Sequence, residues 1–195
     1  MKNKRCQWAG TTNDLMIKYH DEEWGRPVHD ERMLYEFLIL EGAQAGLSWS
    51  TVLNKRENYR KAFDNFDYKK IAQYDQPKID ELLQNEGIIR NKLKINSAIN
   101  NAKRFLEVQK EFGSFDKFIW EFVHNKPIQN NIKSMSEIPA STEISDQISK
   151  VLKKRKFNFV GSTIIYAFMQ AVGLVNDHVE SCFCFKEIID QDSNP

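Results

Sequence analysis

The fold is decided around one short stretch, Leu82-Leu-Gln-Asn-Glu-Gly87-Ile-Ile-Arg90-Asn-Lys-Leu-Lys94. An apolar pair, a glycine, a short apolar segment and a basic run predict a helix, a hairpin and a second helix. Gly87 is predicted to end the first helix in the left-handed conformation. Backbone N–H groups at a helix start bind anions, and Arg90, Lys92 and Lys94 add positive charge. The pattern is typical of an element that holds a phosphate backbone, and a plain pair of antiparallel helices is the alternative.

Helical periodicity continues on both sides of this hairpin. Apolar residues at helical spacing predict a long helix from about Arg90 and later helices over about 143–155 and 162–172. The last of these is almost entirely apolar, so we expect it to be the buried central helix. Residues 125–142 are polar with two prolines and are predicted to be a loop. No alternating strand pattern occurs, which indicates an all-α protein. The predicted N-caps are Asp30, Ser48, Asp67, Asp75 and Ser114.

Composition limits the class of protein. The 195 residues are 41% hydrophobic and 12% aromatic, enough for one folded domain and too much for a disordered chain. No uncharged apolar run reaches the ~18 residues of a membrane span, and no apolar run follows the first charges, so we expect a cytoplasmic protein. We expect residues 1–185 to form a single domain of two helical lobes and residues 186–195 to be a disordered tail.

The net charge of +1 does not by itself predict a polyanionic partner. Basic residues are nevertheless concentrated in two stretches, 90–110 and 150–156, and local patches of this kind steer nucleic acids. The alternative is that these residues lie on ordinary solvated helix faces.

Four candidate metal ligands lie near the two ends of the chain. Cys6 and His20 are close to the start, and His178 and Cys182 are spaced His-x-x-x-Cys near the end. Two thiolates and two imidazoles match a closed tetrahedral zinc site. The alternative is an ordinary histidine at a helix end and cysteines that pack as small apolar residues.

Three of the four tryptophans lie in the first 50 positions, around one acid. Trp8, Tyr19, Trp24 and Trp49 surround Glu41 in the sequence. Aromatic walls and a carboxylate suit a planar cationic ligand, which the rings stack on and the acid orients. The alternative is a set of core aromatics, with Glu41 exposed at the end of its helix.

Together these blocks resemble the 3-methyladenine DNA glycosylase I family, and the resemblance covers about residues 5–185. The matching motifs are Cys6-Gln-Trp8, Tyr19-His20-Asp-Glu-Glu-Trp24-Gly25, Leu40-Glu41-Gly-Ala-Gln44-Ala-Gly46-Leu-Ser-Trp49, Lys55-Arg-Glu-Asn-Tyr59, Gly87-Ile-Ile-Arg90, Phe157-Asn-Phe-Val-Gly161 and Gly173-Leu-Val-Asn-Asp-His178.

The resemblance implies a helix-hairpin-helix glycosylase fold and a monofunctional enzyme. Such an enzyme flips 3-methyladenine out of double-stranded alkylated DNA and releases it by hydrolysis, leaving an abasic site without lyase chemistry. It implies one structural zinc on Cys6, His20, His178 and Cys182 that ties the two termini, with Cys184 as the second choice for the last ligand. It also implies a monomer with no organic cofactor and no membrane partner.

The resemblance assigns a role to each candidate residue. Glu41 would hydrogen-bond the base and act as the catalytic residue, and Trp8, Tyr19 and Trp49 would line the base pocket. Gln44, Gly46 and Leu47 would face the duplex, with Leu47 or the Gly46 backbone as a wedge. The hairpin residues Gly87, Ile88, Arg90 and Lys92 would hold the DNA backbone.

Two positions depart from the family pattern. Met16 stands where relatives often place a pocket tyrosine, and Lys156 stands where they place a glycine before Phe157.

Two other classes of function compete with a glycosylase. A zinc-stabilised DNA-binding module without catalysis is the stronger one. A zinc hydrolase or deaminase is the weaker one, because four protein ligands leave no open position for water and no His-x-Glu motif accompanies a Cys-x-x-Cys pair.

Overall fold

The computed structural model describes residues 4–193, with side chains to residue 190. The α-helices in this part of the chain are α1 (Asp14–Glu22), α2 (Glu31–Gln44), α3 (Trp49–Ala62), α4 (Tyr68–Ile71), α5 (Gln76–Gln84), α6 (Lys92–Phe112), α7 (Phe115–Trp120), α8 (Glu143–Lys154), α9 (Ser162–Ala171) and α10 (Phe183–Ser193). The two strands are β1 (Ile128–Gln129) and β2 (Val175–Asn176), and short 3₁₀ turns cover Gln7–Ala9, Asp64–Phe66, Glu121–Val123 and Met135–Glu137. The helical class is confirmed.

Short polar side chains begin the helices, as the sequence predicts. Asp30, Ser48, Asp67, Asp75 and Ser114 each accept a backbone N–H in the first turn of the following helix. Such caps satisfy donors that have no partner within the helix. They also set where each helix enters the core, and therefore where its side chains point.

Helix α9 lies at the centre of the molecule, as predicted. Ile165, Phe168, Met169 and Ala171 have at most traces of exposed surface, and the helix packs against α2 and α8. A helix that is apolar on nearly every side must be covered by neighbours. Because α2 carries Glu41, this packing places the acid beside the first half of α9.

Residues 85–91 connect α5 to α6, and the conformation of the glycine in this segment differs from the predicted one. Helix α5 ends at Gln84, and Gly87 is absent from the residues with positive φ among those described. Space is tight there instead, because a Cβ would lie 3.0 Å from Asn85 Oδ1 and 3.1 Å from Asn58 Cβ, so these side chains would have to shift slightly. The prediction of a left-handed helix end at Gly87 was wrong.

Two segments differ from their predicted state. The polar stretch 125–142 contains β1, which pairs in parallel with β2 through Ile128 and Val175. Four residues of pairing are too short to leave an alternating pattern in the sequence. Helix α10 continues through residues that the sequence assigned to a disordered tail, because Phe185 and Ile188 are buried in the core. Residues 194–195 of that tail lie outside the described residues.

Lys156 follows α8 with φ of 65°, a left-handed conformation that suits glycine. The carbonyl of Lys156 accepts a 2.7 Å hydrogen bond from Asn100 Nδ2, which holds the turn.

Within residues 4–193 no helix is both long enough and apolar enough to cross a bilayer.

Candidate active site

An aromatic cavity of about 330 Å³ lies between α1, α2, α3 and α9. The residues that line it are Trp8, Met16, Tyr19, Trp24, Glu41, Gln44, Trp49, Met135, Ile138, Ala167 and Gln170. The structure therefore brings together all four pocket residues expected from the sequence, which are Trp8, Tyr19, Glu41 and Trp49. Gln44 joins them, and Met16 lies on the wall as well.

The rings of the cavity are fixed against one another. Tyr19 and Trp49 have centroids 5.0 Å apart, and Trp8 and Trp24 meet edge to face at 4.9 Å. Tyr19 also contacts Phe37 of the core at 6.3 Å. Tilted and edge-to-face pairs are favourable ring arrangements, so the walls form a preorganised slot for a flat ligand.

Glu41 is the acid of this slot. Its position near the end of α2 leaves it only 4% exposed, because α9 covers that side of the helix. Burial raises the pKa of its carboxyl from 4.5 to about 8. The same burial, with Glu41 nearby, raises the pKa of the Tyr19 hydroxyl well above its usual value. The alternative in which Glu41 is exposed at a helix end was wrong.

Three polar atoms around the cavity are buried and have no hydrogen-bond partner in the described structure. They are Glu41 Oε2, Trp8 Nε1 and Trp49 Nε1. Nearly all buried polar groups in folded proteins are paired, so unpaired ones call for an explanation. An acceptor and two donors left open around one aromatic slot are complementary to a flat ligand with its own donors and acceptors.

The sequence missed part of the wall. Met135 and Ile138 come from the segment predicted to be a loop and close one side of the cavity, while Ala167 and Gln170 come from α9. In the polar context of 125–142, two separated apolar residues carry no periodic signal. The apolar character of α9 predicted burial, but not that its Ala167 would meet a cavity.

A second cavity, of about 210 Å³, adjoins the first. It is lined by Glu41, Gln44, Ala45, Gly46, Leu47, Thr163, Ile164 and Ala167. Glu41, Gln44 and Ala167 belong to both cavities. At the surface Gly46 has φ of 78° and Leu47 is 42% exposed. The loop after α2 therefore presents an apolar side chain beside the opening.

The four Cys and His residues near the two ends of the chain meet in the fold. The ligand atoms of Cys6, His20, His178 and Cys182 all lie within 4.8 Å of one another, and all four residues are buried. Cys6 Sγ and Cys182 Sγ each lie 3.5 Å from His178 Nδ1, and Cys182 Sγ lies 3.5 Å from His20 Nε2. Cys184 Sγ instead lies 3.9 Å from the carbonyl oxygen of His20. The group could hold a metal ion.

The second nitrogen of each imidazole has its own partner. His178 Nε2 lies 2.9 Å from the carbonyl oxygen of Trp24, and His20 Nδ1 lies 2.8 Å from Asp21 Oδ1. Arg5 holds Asp21 in turn at 2.7 Å. Such partners fix the tautomer of a histidine ligand, so that the nitrogen facing the cysteines carries a lone pair. On His20 this nitrogen accepts the N–H of Cys6 at 3.2 Å.

This group also supports the aromatic cavity directly. The Trp8 ring packs edge to face on His20 at 5.3 Å, and the Trp24 ring packs on His178 at 4.6 Å. Two walls of the cavity therefore rest on two of the candidate ligands.

The hairpin of residues 85–91 lies apart from the cavity and is held by α3. Lys55 Nζ donates to the carbonyl of Glu86 at 3.0 Å, and Tyr59 Oη accepts from the N–H of Ile89 at 3.2 Å. Ile88 is 3% exposed and anchors the hairpin in the core, so it does not reach outward. The exposed residues of the hairpin include Glu86, Arg90 and Asn91, and Lys92 is exposed at the start of α6, whereas Gly87 is half-buried. Arg90 lies 3.5 Å from the Glu86 carboxylate.

Comparison with known proteins identifies the relatives of this chain. The family model described as methyladenine glycosylase matches residues 8–185. A DNA-3-methyladenine glycosylase of Haemophilus influenzae is 49% identical over 180 residues, covering 92% of this chain and 97% of that protein. The crystal structure of a 3-methyladenine DNA glycosylase I superposes with a TM-score of 0.90 at 51% identity, covering 93% and 99% of the two chains. A variant of such an enzyme in complex with 3-methyladenine superposes with a TM-score of 0.89 at 34% identity, covering 92% and 96%.

Proposed function

The chain belongs to the methyladenine glycosylase family, and from this premise we propose that it releases 3-methyladenine from alkylated DNA. In this reaction water adds to C1′ of the deoxyribose, the glycosidic bond breaks and the base departs. Methylation at N3 places positive charge on the adenine, so the base leaves with little help from an acid. We propose that the enzyme is monofunctional and acts on DNA in the cytoplasm.

The observation that carries this proposal is the set of open polar atoms in the aromatic slot. Glu41 Oε2 is an acceptor, and Trp8 Nε1 and Trp49 Nε1 are donors. An adenine edge offers an amino donor and a ring-nitrogen acceptor. A cationic adenine stacked against the aromatic walls of the cavity would therefore satisfy both kinds of group and would place its positive charge near the carboxylate.

The buried acid also explains selectivity for a charged base. Because burial raises the pKa of Glu41 to about 8, the empty site holds a neutral carboxyl at pH 7. A cationic base favours the ionised carboxylate, since opposite charges at short range stabilise each other. An uncharged, undamaged adenine offers no such gain, so it is bound less tightly than the lesion.

We propose that duplex DNA binds the surface around the cavity, so that the flipped base enters the cavity from outside. We propose that the hairpin residues Gly87, Arg90 and Lys92 hold the backbone in a helix-hairpin-helix arrangement. Gln44, Gly46 and Leu47 would face the duplex beside the cavity, with Leu47 as the wedge that occupies the gap after flipping. Unstacking a nucleotide costs a few kcal/mol, and an inserted apolar side chain offsets part of that cost.

We further propose that Cys6, His20, His178 and Cys182 hold one structural zinc. Tetrahedral bonds of about 2.3 Å to sulfur and about 2.0 Å to nitrogen set unlike ligands about 3.5 Å apart. The three sulfur–nitrogen distances of 3.5 Å match this value. Four protein ligands leave no position for water, so the ion would supply folding energy and no step of the reaction.

Base release from methylated DNA tests the proposed activity. Wild-type protein should release 3-methyladenine, identified by chromatography, and leave abasic sites. Glu41→Gln and Glu41→Ala should both slow release, because one hydrogen bond to a charged group contributes about 1.5–3 kcal/mol, equivalent to roughly tenfold to a few hundredfold. Glu22→Gln, an exposed acid on α1, is the matched control.

Two outcomes would contradict the proposal. Wild-type protein that binds duplex DNA but releases no purine would make the chain a DNA-binding module. Variants at Glu41 that turn over like wild type would remove this acid from the reaction.

A further inference from the structure

The first turn of α9 has backbone donors that the described structure leaves open. Its N-cap is Gly161, and no described side chain caps the helix. Ser162 and Ile164 are half-buried and Thr163 is exposed, so this first turn lies at the surface. Helix α6, directly after the hairpin, differs because Asn91 Oδ1 already accepts from the N–H groups of Leu93 and Lys94. The open anion-binding donors are therefore beside the base cavity and not at the start of α6.

A second, independent feature lies in the smaller cavity next to this helix start. Thr163 and Ile164 line the 210 Å³ cavity together with Glu41. Glu41 is 4% exposed and its Oε2 has no partner in the described structure. One cavity thus joins an unpaired acceptor for a cationic group to a helix start that offers donors to an anion.

The segment that leads into α9 is held in place. Asn101 Nδ2 donates to the carbonyl of Asn158 at 2.9 Å, and Asn101 Oδ1 accepts the N–H of Asn158 at 2.8 Å. Ser149 Oγ donates to the carbonyl of Val160 at 2.6 Å. Because these bonds fix both sides of Phe159, the helix start is preorganised and requires little rearrangement on binding.

From these contacts we infer that the N-terminus of α9 is a phosphate subsite for the nucleotide whose base occupies the aromatic cavity. A nucleotide with a methylated base carries positive charge on the base and negative charge on the phosphate, with a sugar between them. The two cavities present the complementary groups in the same order, with Glu41 at their junction. This inference rests on the proposed glycosylase activity and extends it to the backbone of the flipped nucleotide.

Gly161 allows a test with opposite effects on stability and on DNA binding. Its φ is −65°, and a Cβ there would meet open space. Gly161→Asp should cap α9 and raise the melting temperature by a few degrees relative to Gly161→Ala. The same carboxylate would occupy the open N–H groups and repel phosphate, so single-turnover excision should fall about tenfold relative to Gly161→Ala. Gly161→Asn, a neutral cap, should show a smaller loss.

Removing the charge of single phosphates in the DNA tests the same contact from the other side. The probe is a duplex with a tetrahydrofuran abasic analogue, in which each flanking phosphate is replaced in turn by a neutral methylphosphonate. The loss of affinity caused by Gly161→Asp should disappear when one particular phosphate is neutral and persist when its neighbours are. Affinity for free 3-methyladenine should be the same in the Asp and Ala variants, since the base cavity is untouched.

Equal excision and equal affinity for the abasic duplex in Gly161→Asp and Gly161→Ala would overturn the subsite. A loss that persists with every methylphosphonate would also overturn it. Failure of the proposed function gives a different result, the absence of purine release by wild-type protein. In that case binding of the abasic duplex still decides whether the helix start takes a phosphate.

Discussion

At the scale of single residues, Glu41 links the cavity to the stability of the fold. Its carboxyl has an ordinary pKa of 4.5 and a pKa of about 8 when buried in the folded protein. Between these values the unfolded chain has lost the proton and the folded chain keeps it. The free energy of unfolding therefore falls as pH rises from about 4.5 to 8, and the whole window corresponds to roughly 5 kcal/mol.

Glu41→Gln should remove this pH dependence, because an amide does not ionise. We expect the variant to gain melting temperature over wild type as pH is raised from 5 to 9, with the larger difference at pH 9. Thermal unfolding of both proteins across that range measures the effect, with Glu22→Gln as the control. A difference that stays constant with pH would show that Glu41 ionises normally in the folded protein.

At the scale of elements, Lys94 connects the helix after the hairpin to the loop beside the cavity. Its Nζ donates to the carbonyls of Ala43 at 2.7 Å and Ala45 at 2.8 Å, at the C-terminal end of α2. A cation is favourable there, since the helix dipole leaves that end negative. Partial burial lowers the pKa of the Lys94 ammonium group. Lys94 therefore lies in the basic stretch of the sequence, but in the fold its ammonium group binds the end of α2.

Lys92 and Lys94 should consequently respond differently to mutation. Lys92→Met removes an exposed charge and should reduce the slope of log affinity against log salt by about one, for damaged and undamaged duplex alike. Lys94→Met should leave that slope unchanged and slow single-turnover excision about tenfold, because the loop of Gly46 and Leu47 loses two anchoring bonds.

Lys94→Arg tests whether another cationic side chain restores the excision rate. A guanidinium offers donors for both carbonyls, so this variant should recover most of the excision rate. Binding titrations at several salt concentrations check both lysines. A reduced slope in Lys94→Met would place Lys94 on the DNA backbone instead.

At the scale of the whole molecule, the proposed zinc site joins the start of the chain to its end. Cys6 and His20 precede the core, and His178 and Cys182 follow it, yet the four ligand atoms lie within 4.8 Å of one another. Trp8 and Trp24 pack on the two imidazoles and also line the base cavity. Loss of the ion should therefore disturb the cavity, while the helices between residues 30 and 172 keep their own packing.

Protein purified without chelator should contain one zinc per chain by elemental analysis. Cys6→Ser and His178→Ala should each lower the melting temperature and the excision rate together and leave most of the far-ultraviolet helical signal. Cys184→Ser is the comparison variant, because Cys184 lies beside Cys182 but outside the group of four and should leave the zinc content unchanged. Absence of stoichiometric zinc would reject the site, and full stability of Cys182→Ser would favour Cys184 as the ligand.

The sequence alone determined the features that depend on local pattern and on chemically unusual residues. Caps such as Asp30 and Ser48 predicted helix starts, and the apolar run of α9 predicted a buried helix, because both follow from neighbouring residues. The motifs around Glu41 and His178 were specific enough to indicate the family, and with it the aromatic pocket. These features need no knowledge of which distant segments meet.

The tertiary structure decided whatever depends on contacts between distant segments. Met135 and Ile138 became part of the pocket wall only because the chain brings them to the cavity lined by Tyr19 and Glu41. The side chains of Asn58 and Asn85 leave little room for a Cβ at Gly87, and its φ is not positive. The open start of α9 and the partners of Lys94 likewise follow from packing, since hydrogen bonds between remote residues leave no periodic signal in a chain. The burial that raises the pKa of Glu41 is a property of the assembled core, which the sequence around residue 41 does not contain.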